Sequence, residues 1–187
     1  MIFTVNDLCI IIYKVLGVFC MIETILTRRS IRKYTDEKIS EEVLEKLLAC
    51  GFSAPSAMNR RPFHVIVVDD KEMLKEISEC GMYTKMIASA AMCMVVCGDH
   101  KRQPFKEMLI NDCSAMIENI LLAAHELGLG AVWCGVMPRM GLHKKISKLL
   151  DLPSTVEPMG LISLGYPAET KEAPNRLEWE KVHRQKW

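Results

Sequence analysis

The segment 111–127 constrains this chain more than any other. Met116, Ile117, Ile120, Leu121, Ala124 and Leu127 recur at helical spacing, and Gly128 follows as a C-terminal cap. Clearly polar residues, Glu118, Asn119, His125 and Glu126 among them, are few. A helix that is apolar over much of its circumference is buried on more than one side. It therefore lies in the centre of a domain or in a subunit interface, and the remaining elements must be arranged around it.

Those elements alternate. Residues 21–28 predict a short helix. Ser40 caps an amphipathic helix in which Glu41 and Glu42 suit the positive end, Val43, Leu44, Leu47 and Leu48 form the buried stripe, and Gly51 is the stop. Residues 64–69 (HVIVVD) read as a strand rich in β-branched side chains. Asp69, with Glu72 three residues on, predicts a capping box that opens a helix through Met73, Leu74 and Ile77. Residues 91–97 (AMCMVVC) predict a buried strand, 131–137 a third, 141–150 a helix and 161–164 a fourth strand. Strands alternating with helices place the chain in the α/β or α+β class. The last segment, 174–187, has little core of its own.

At 187 residues, half of them hydrophobic, the chain is long enough for one domain with a real core. The 24 Lys+Arg and 23 Asp+Glu leave a net charge of +1, so no basic face emerges. No aromatic residues alternate with the arginines to stack bases, which argues against a nucleic-acid partner. Eight cysteines (Cys9, Cys20, Cys50, Cys80, Cys93, Cys97, Cys113 and Cys134) form no C-x-x-C pair. They read as reduced thiols in a cytoplasmic protein that needs no disulfide staples. The five histidines are scattered and pair with no cysteine at finger spacing, so no metal site is expected.

Residues 1–20 are apolar but interrupted by Asp7 and Lys14. Their unbroken stretches are far shorter than the roughly 20 residues of a membrane helix. They also lack a signal peptide's charged start and cleavage site. Met21 reads like a natural start, which leaves 1–20 as either an upstream extension or an extra element on a hydrophobic surface. The domain proper is then 21–187.

Arg28, Arg29, Ser30 and Arg32 put three guanidinium groups and a hydroxyl within five residues. Guanidinium forks pair with phosphate through parallel charge-assisted hydrogen bonds that lysine cannot copy. An arginine cluster is most often solvated surface. In a chain whose charge nearly cancels, a local cluster suits one small anion. A Pro-Ser-Ala loop follows the next helix, with Asn59 just beyond it. There is no G-x-G-x-x-G after a strand and no P-loop, so side chains must hold any phosphate.

Five blocks in order carry a resemblance: RRSIRKY at 28–34, APSAMNRRP at 54–62, HELGLGAVWCG at 125–135, LISLGYP at 161–167 and NRLEWEKVHRQKW at 175–187. On these the chain resembles the nitroreductase family of FMN-dependent oxidoreductases from about Met21 onward. The resemblance implies an α+β sandwich with a central, mostly antiparallel sheet flanked by helices. It also implies an intertwined homodimer with FMN at the subunit interface. Arg28, Arg29 and Ser30 match positions that hold the FMN phosphate and ribityl chain. Arg32 matches one near the pyrimidine edge. Ser56, Ala57 and Asn59 match a loop set against the partner's flavin. Trp133, Cys134 and Gly135 match a strand segment under the ring, and Arg176 matches an arginine that closes on the phosphate.

Arg61 and Phe63 depart from the glutamine and tryptophan of many members. Arg61 could adjust the flavin, contact an acidic substrate or be surface. Asn175 stands beside Arg176 where some relatives bring a second basic residue. Lys85 reads as exposed, Cys134 as a packing residue, and His64 and His125 as structural. The implied activity is hydride transfer from NADH or NADPH to a small acceptor such as a nitroaromatic or quinone, with no protein nucleophile and no metal. The alternative is a flavin-binding storage or sensing protein with little turnover. A dehalogenase-like activity finds no support, because 81–106 is too short and apolar for a polar substrate lid.

Overall fold

The computed structural model describes residues 21–136 and 141–187. Residues 1–20, and Met137 at the end of the predicted third strand, lie outside the described residues.

Four strands, β1 (Phe63–Val68), β2 (Met92–Asp99), β3 (Gly130–Gly135) and β4 (Val156–Gly165), form one sheet in the order β1-β2-β4-β3. Every neighbouring pair is antiparallel. The helices are α1 (Met21–Thr27), α2 (Glu41–Phe52), α3 (Lys71–Glu79), α4 (Lys106–Glu126) and α5 (Leu142–Leu149). The fold is thus α+β, with helices on both faces of an antiparallel sheet.

The unbroken apolar run of β2 follows from that position. Met92, Met94 and Val96 point to the face covered by α4 and α2, where they meet Met116, Ile117, Ile120 and Leu47. Cys93, Val95 and Cys97 point the other way, towards Leu74, Ile77, Ile87 and Ile146. Side chains alternate between faces along a strand, so a strand covered on both must be apolar at every position.

Several boundaries differ from the predicted ones, for physical reasons. Gly51 does not end α2; it lies in the last turn, and a Cβ there would sit 2.8 Å from Ile120. Asp70, not Asp69, caps α3 and accepts from the Met73 amide at 2.9 Å. The long helix starts at Lys106 rather than 111, because its N-cap, Phe105, makes no side-chain cap and leaves no signal. β4 begins five residues before 161, with Pro158 inside it. β3 ends opposite Gly160, so Pro158 has only β2 beside it, at a register shift where a missing N–H is tolerated. Gly128 does supply the left-handed turn after α4, at φ 76°.

The long helix is covered largely within its own chain. Its Leu109, Cys113, Met116, Ile117, Ile120, Leu121 and Ala124 are buried. Of the two predicted placements, the domain centre accounts for these residues. Exposed apolar side chains gather on α1 (Met21, Ile22, Ile25, Leu26), at the first turn of α4 (Phe105, Met108, Ile110) and on the tail (Leu177, Trp179, Val182, Trp187), with Met58, Met82 and Tyr83 exposed on the connections between elements.

Candidate functional site

The arginine segment is laid against the edge of the sheet. Ser30 bridges Ala131 at the start of β3, and Tyr34 bridges Pro167 just after β4. Backbone amides fix the run: Ile31 donates to the Ala131 carbonyl at 3.0 Å and Thr35 to that of Tyr166 at 2.9 Å. Two paired glycines, Gly130 opposite Gly165, make the notch. A Cβ on Gly130 would lie 2.6 Å from Ile31, and one on Gly165 would lie 2.9 Å from Tyr34. Half-buried Tyr34 places its hydroxyl 2.8 Å from the Ile31 carbonyl and 3.2 Å from that of Ser163. Burial, above all, holds its proton well above the ordinary phenol range.

The C-terminal tail returns along the same segment. The Arg32 amide donates to Glu169 Oε1 at 2.6 Å, and Lys171 Nζ donates to the Ser30 carbonyl at 2.6 Å. Lys171 also pairs with Glu169 at 3.2 Å. Arg29 Nε donates to the Glu172 carbonyl at 3.1 Å, and Arg29 Nη1 to the Arg28 carbonyl at 2.8 Å. This brings Arg176 close to Arg29. Lost hydration, then the Arg176 and Arg28 charges, push the Arg29 guanidinium below its usual range. Arg28 has a carboxylate, Glu118, at 3.6 Å. Among the described residues no carboxylate pairs with Arg29 or Arg176. Arg28, Arg29 and Arg176 therefore form a guanidinium cluster short of negative charge. His125, hydrogen-bonded to Thr27 at 2.8 Å, lies at its inner side; burial first, then Arg28, lowers its proton affinity.

β3 is an edge strand, and the arginine segment covers its outer side at Ala131. Trp133 (37 % exposed) and Gly135 follow on one face, while Cys134 turns inward. The Cys134 thiol meets Met86 Sδ at 3.8 Å. Burial pushes that thiol up to about 11, and nearby Arg32 offsets only part of the shift. That shift favours the thiol over the thiolate, and the group packs against Met86. Lys85 is exposed, one residue before Met86.

Ser56, Ala57 and Asn59 occupy a separate place. Met58, Asn59 and Arg61 all have positive φ, at 54°, 53° and 47°. Such backbone is costly for non-glycine residues and persists only where the surroundings impose it. Here Asp112 Oδ1 accepts the Ala57 amide at 2.8 Å, and Ser56 Oγ accepts the Arg61 amide at 2.9 Å. Asp112 is buried on α4, and buried Gln103 approaches its other oxygen at 3.4 Å. Asp112 anchors this loop, whereas His125 lies beside the arginines. Those two residues are thirteen positions apart on one helix, or about 20 Å. One chain therefore does not bring Ser56, Ala57 and Asn59 to Arg28, Arg29, Ser30 and Arg176.

Several residues of this site escape sequence reasoning. Asp112 had one signal, a carboxylate in register with the apolar stripe of Leu109, Cys113 and Met116. Glu169 and Lys171 sit in a polar tail segment that gives none.

A family model described as the Nitroreductase family matches residues 25–82 and 78–166. An Archaeoglobus fulgidus protein named for NADH dehydrogenase or NAD(P)H nitroreductase activity is 45 % identical over 170 residues, covering 89 % of this chain and 98 % of its own. A solved structure named in the same way, from Parabacteroides distasonis, superposes with a TM-score of 0.85 at 36 % identity, over 89 % of this chain and 98 % of the other. An FMN-dependent nitroreductase from Clostridium difficile gives 0.82 at 35 % identity, over 89 % and 99 %.

Proposed function

Given that this chain belongs to the nitroreductase family, we propose that it is an FMN-dependent oxidoreductase passing hydride from NADH or NADPH to a small acceptor such as a nitroaromatic or quinone. The observation that carries this reading is the guanidinium cluster of Arg28, Arg29 and Arg176, in which two members have no carboxylate partner among the described residues. A phosphate monoester supplies the missing charge and accepts from several guanidinium N–H groups at once. The donor set therefore fits FMN. Bound FMN supplies the hydride acceptance and release.

The chain's own residues bind and orient. Arg28, Arg29, Ser30 and Arg176 hold the phosphate and ribityl chain. Glu169 and Lys171 keep that segment in place by gripping the Arg32 amide and the Ser30 carbonyl. Arg32 supplies a cation where negative charge builds on the ring. Trp133, Cys134 and Gly135 present the open edge of β3 to it. Burial keeps the Cys134 thiol from ionising, so it offers no thiolate at the ring.

The loop of Ser56, Ala57 and Asn59 completes the site from a second copy, which makes the protein a homodimer with FMN at the subunit interface. The separation along α4 supports this, as do the exposed apolar residues of α1 and the tail. Among the described residues no helix is long and apolar enough to cross a membrane. The six described cysteines are free, which suits a reducing, cytoplasmic setting.

Purified protein reconstituted with FMN should bind about one flavin per chain and bleach anaerobically with NADH or NADPH. A protein that takes up no flavin overturns the reading; one that binds flavin but does not bleach is a storage or sensing protein. Light scattering should give a dimer, and a stable FMN-loaded monomer overturns the split site. Residues 21–187 form the FMN-binding domain, so a chain starting at Met21 should keep its FMN content.

A further inference from the structure

A second concentration of guanidinium groups follows the loop at Ser56. Arg61, anchored by its amide to Ser56 Oγ, accepts at its carbonyl from Arg102 Nη1 at 2.9 Å. Arg60 Nη1 reaches the Arg102 carbonyl at 3.4 Å, and Arg61 Nη2 donates to the Phe52 carbonyl at 3.0 Å. Arg60 lies over the Phe105 ring at 6.0 Å and Arg61 over that of Phe63 at 5.9 Å. Every partner of these three guanidinium groups is neutral. Among the described residues none has a carboxylate, although Glu157 close by pairs with both His100 and Lys106.

Closing a turn needs one donor per carbonyl, which a glutamine or lysine would supply. Three arginines bring three fixed charges and five N–H groups each, of which these contacts use one apiece. Like charges gathered in one corner repel unless an anion lies among them. Their carbonyl and ring contacts orient the groups beforehand, so little side-chain freedom is lost when an anion arrives.

We propose that Arg60, Arg61 and Arg102 form an anion site that takes a phosphate of the nicotinamide nucleotide. This rests on the oxidoreductase reading above. The flavin phosphate is assigned to the cluster of Arg28, Arg29 and Arg176. The donor nucleotide is the other obligate phosphate-bearing reactant, whereas the acceptor need carry no charge. Arg60 and Arg61 directly follow Asn59, so their charges flank the flavin-facing loop. The phosphate is either the pyrophosphate bridge, common to NADH and NADPH, or the 2′-phosphate of NADPH alone.

The test is an Arg60→Gln/Arg102→Gln double variant, with Arg60→Lys/Arg102→Lys as its charge-retaining partner. KM for NADH and NADPH would be measured on the FMN-loaded protein across a range of salt. The glutamine variant should raise KM roughly tenfold or more and flatten its salt dependence, and the lysine variant should recover part of the loss. A rise for both nucleotides assigns the bridge, and a rise for NADPH alone the 2′-phosphate. Unchanged KM values with unchanged salt dependence overturn the proposal and leave the arginines as turn supports. Calorimetry with inorganic pyrophosphate and NADPH, on protein with or without flavin, decides the site even if the oxidoreductase reading fails. Binding that the glutamine variant weakens upholds the site, and equal binding by both proteins overturns it.

Discussion

Met94, Val96, Ile117, Ile120, Ile162 and Leu164 are fully buried where β2, β4 and α4 meet. Along α1 and the tail, by contrast, Met21, Ile22, Ile25, Leu26, Leu177, Trp179 and Trp187 lie open. The centre closes on itself, each strand residue covered by a helix from one face or the other. The strip formed by α1, the 28–34 segment and the tail is tied down by backbone bonds and by Glu169 and Lys171, and the apolar side chains of α1 and of the end of the tail find no cover in one chain. The difference teaches where assembly matters. The closed centre leaves little apolar surface open, while the strip that gathers the candidate phosphate ligands has surface left to bury.

The largest expected effect breaks the centre. Ile117→Ala should lower the free energy of unfolding by about 2–5 kcal/mol, the range for truncating a fully buried aliphatic side chain. Trp179→Ala should leave unfolding of the single chain nearly unchanged and instead weaken the homodimer proposed above. Urea titrations at two protein concentrations measure both. Equal effects on monomer stability would erase the distinction between the two regions.

Asp112→Ala probes the link from the centre to the loop. It leaves the Ala57 amide without its acceptor, at a cost of about 1–3 kcal/mol, while Asp112→Asn keeps an oxygen there and should recover most of it. Urea unfolding and hydrogen exchange at Ala57 report the change. Rapid exchange in the alanine variant alone is the expected pattern, and an unaltered loop would show that Asp112 does not hold it.

Arg29→Ala tests the strip alone. FMN should bind roughly tenfold or more weakly, with the melting temperature of the flavin-free protein unmoved. Undiminished FMN affinity, followed by fluorescence, would make the cluster solvated surface.

The smallest effect is a pH dependence. The Arg32 amide, then Lys171, holds the Glu169 carboxyl below its ordinary value of 4.5. The unfolded chain therefore takes up this proton first as pH falls. The stability that Glu169 contributes is fully present above about pH 4.5 and is lost as pH drops through the lowered folded value. Wild type and Glu169→Gln should differ in melting temperature near neutrality and converge in acid. A difference that persists there would remove Glu169 as the clamp.

The legible parts of this chain were local. Ser40 does cap α2, with its Oγ 3.4 Å from the Val43 amide, and the AMCMVVC run is the doubly covered strand. The misplaced starts of α4 and β4 share a cause. Phe105 carries no capping side chain, and Val156, Glu157 and Pro158 lack a strand's pattern because β4 there pairs on one side only. The arginine block drew attention because its charge is local. Its relation to the tail was legible only through a resemblance, since Ser30 and Lys171 are 141 residues apart.

By itself the sequence determined the periodic elements, the order of strands and helices, and the blocks that carry the family. Each depends on residues within a few turns of one another, where side-chain period and end caps decide conformation. Only the tertiary structure decided that the long helix is covered mainly by its own chain, and that Gly130 and Gly165 face each other to seat the arginine segment. It also decided that Asp112 anchors one half of the candidate site about 20 Å along α4 from the other. Those facts depend on register between segments distant in sequence, and register is set by packing and backbone pairing that no local pattern records.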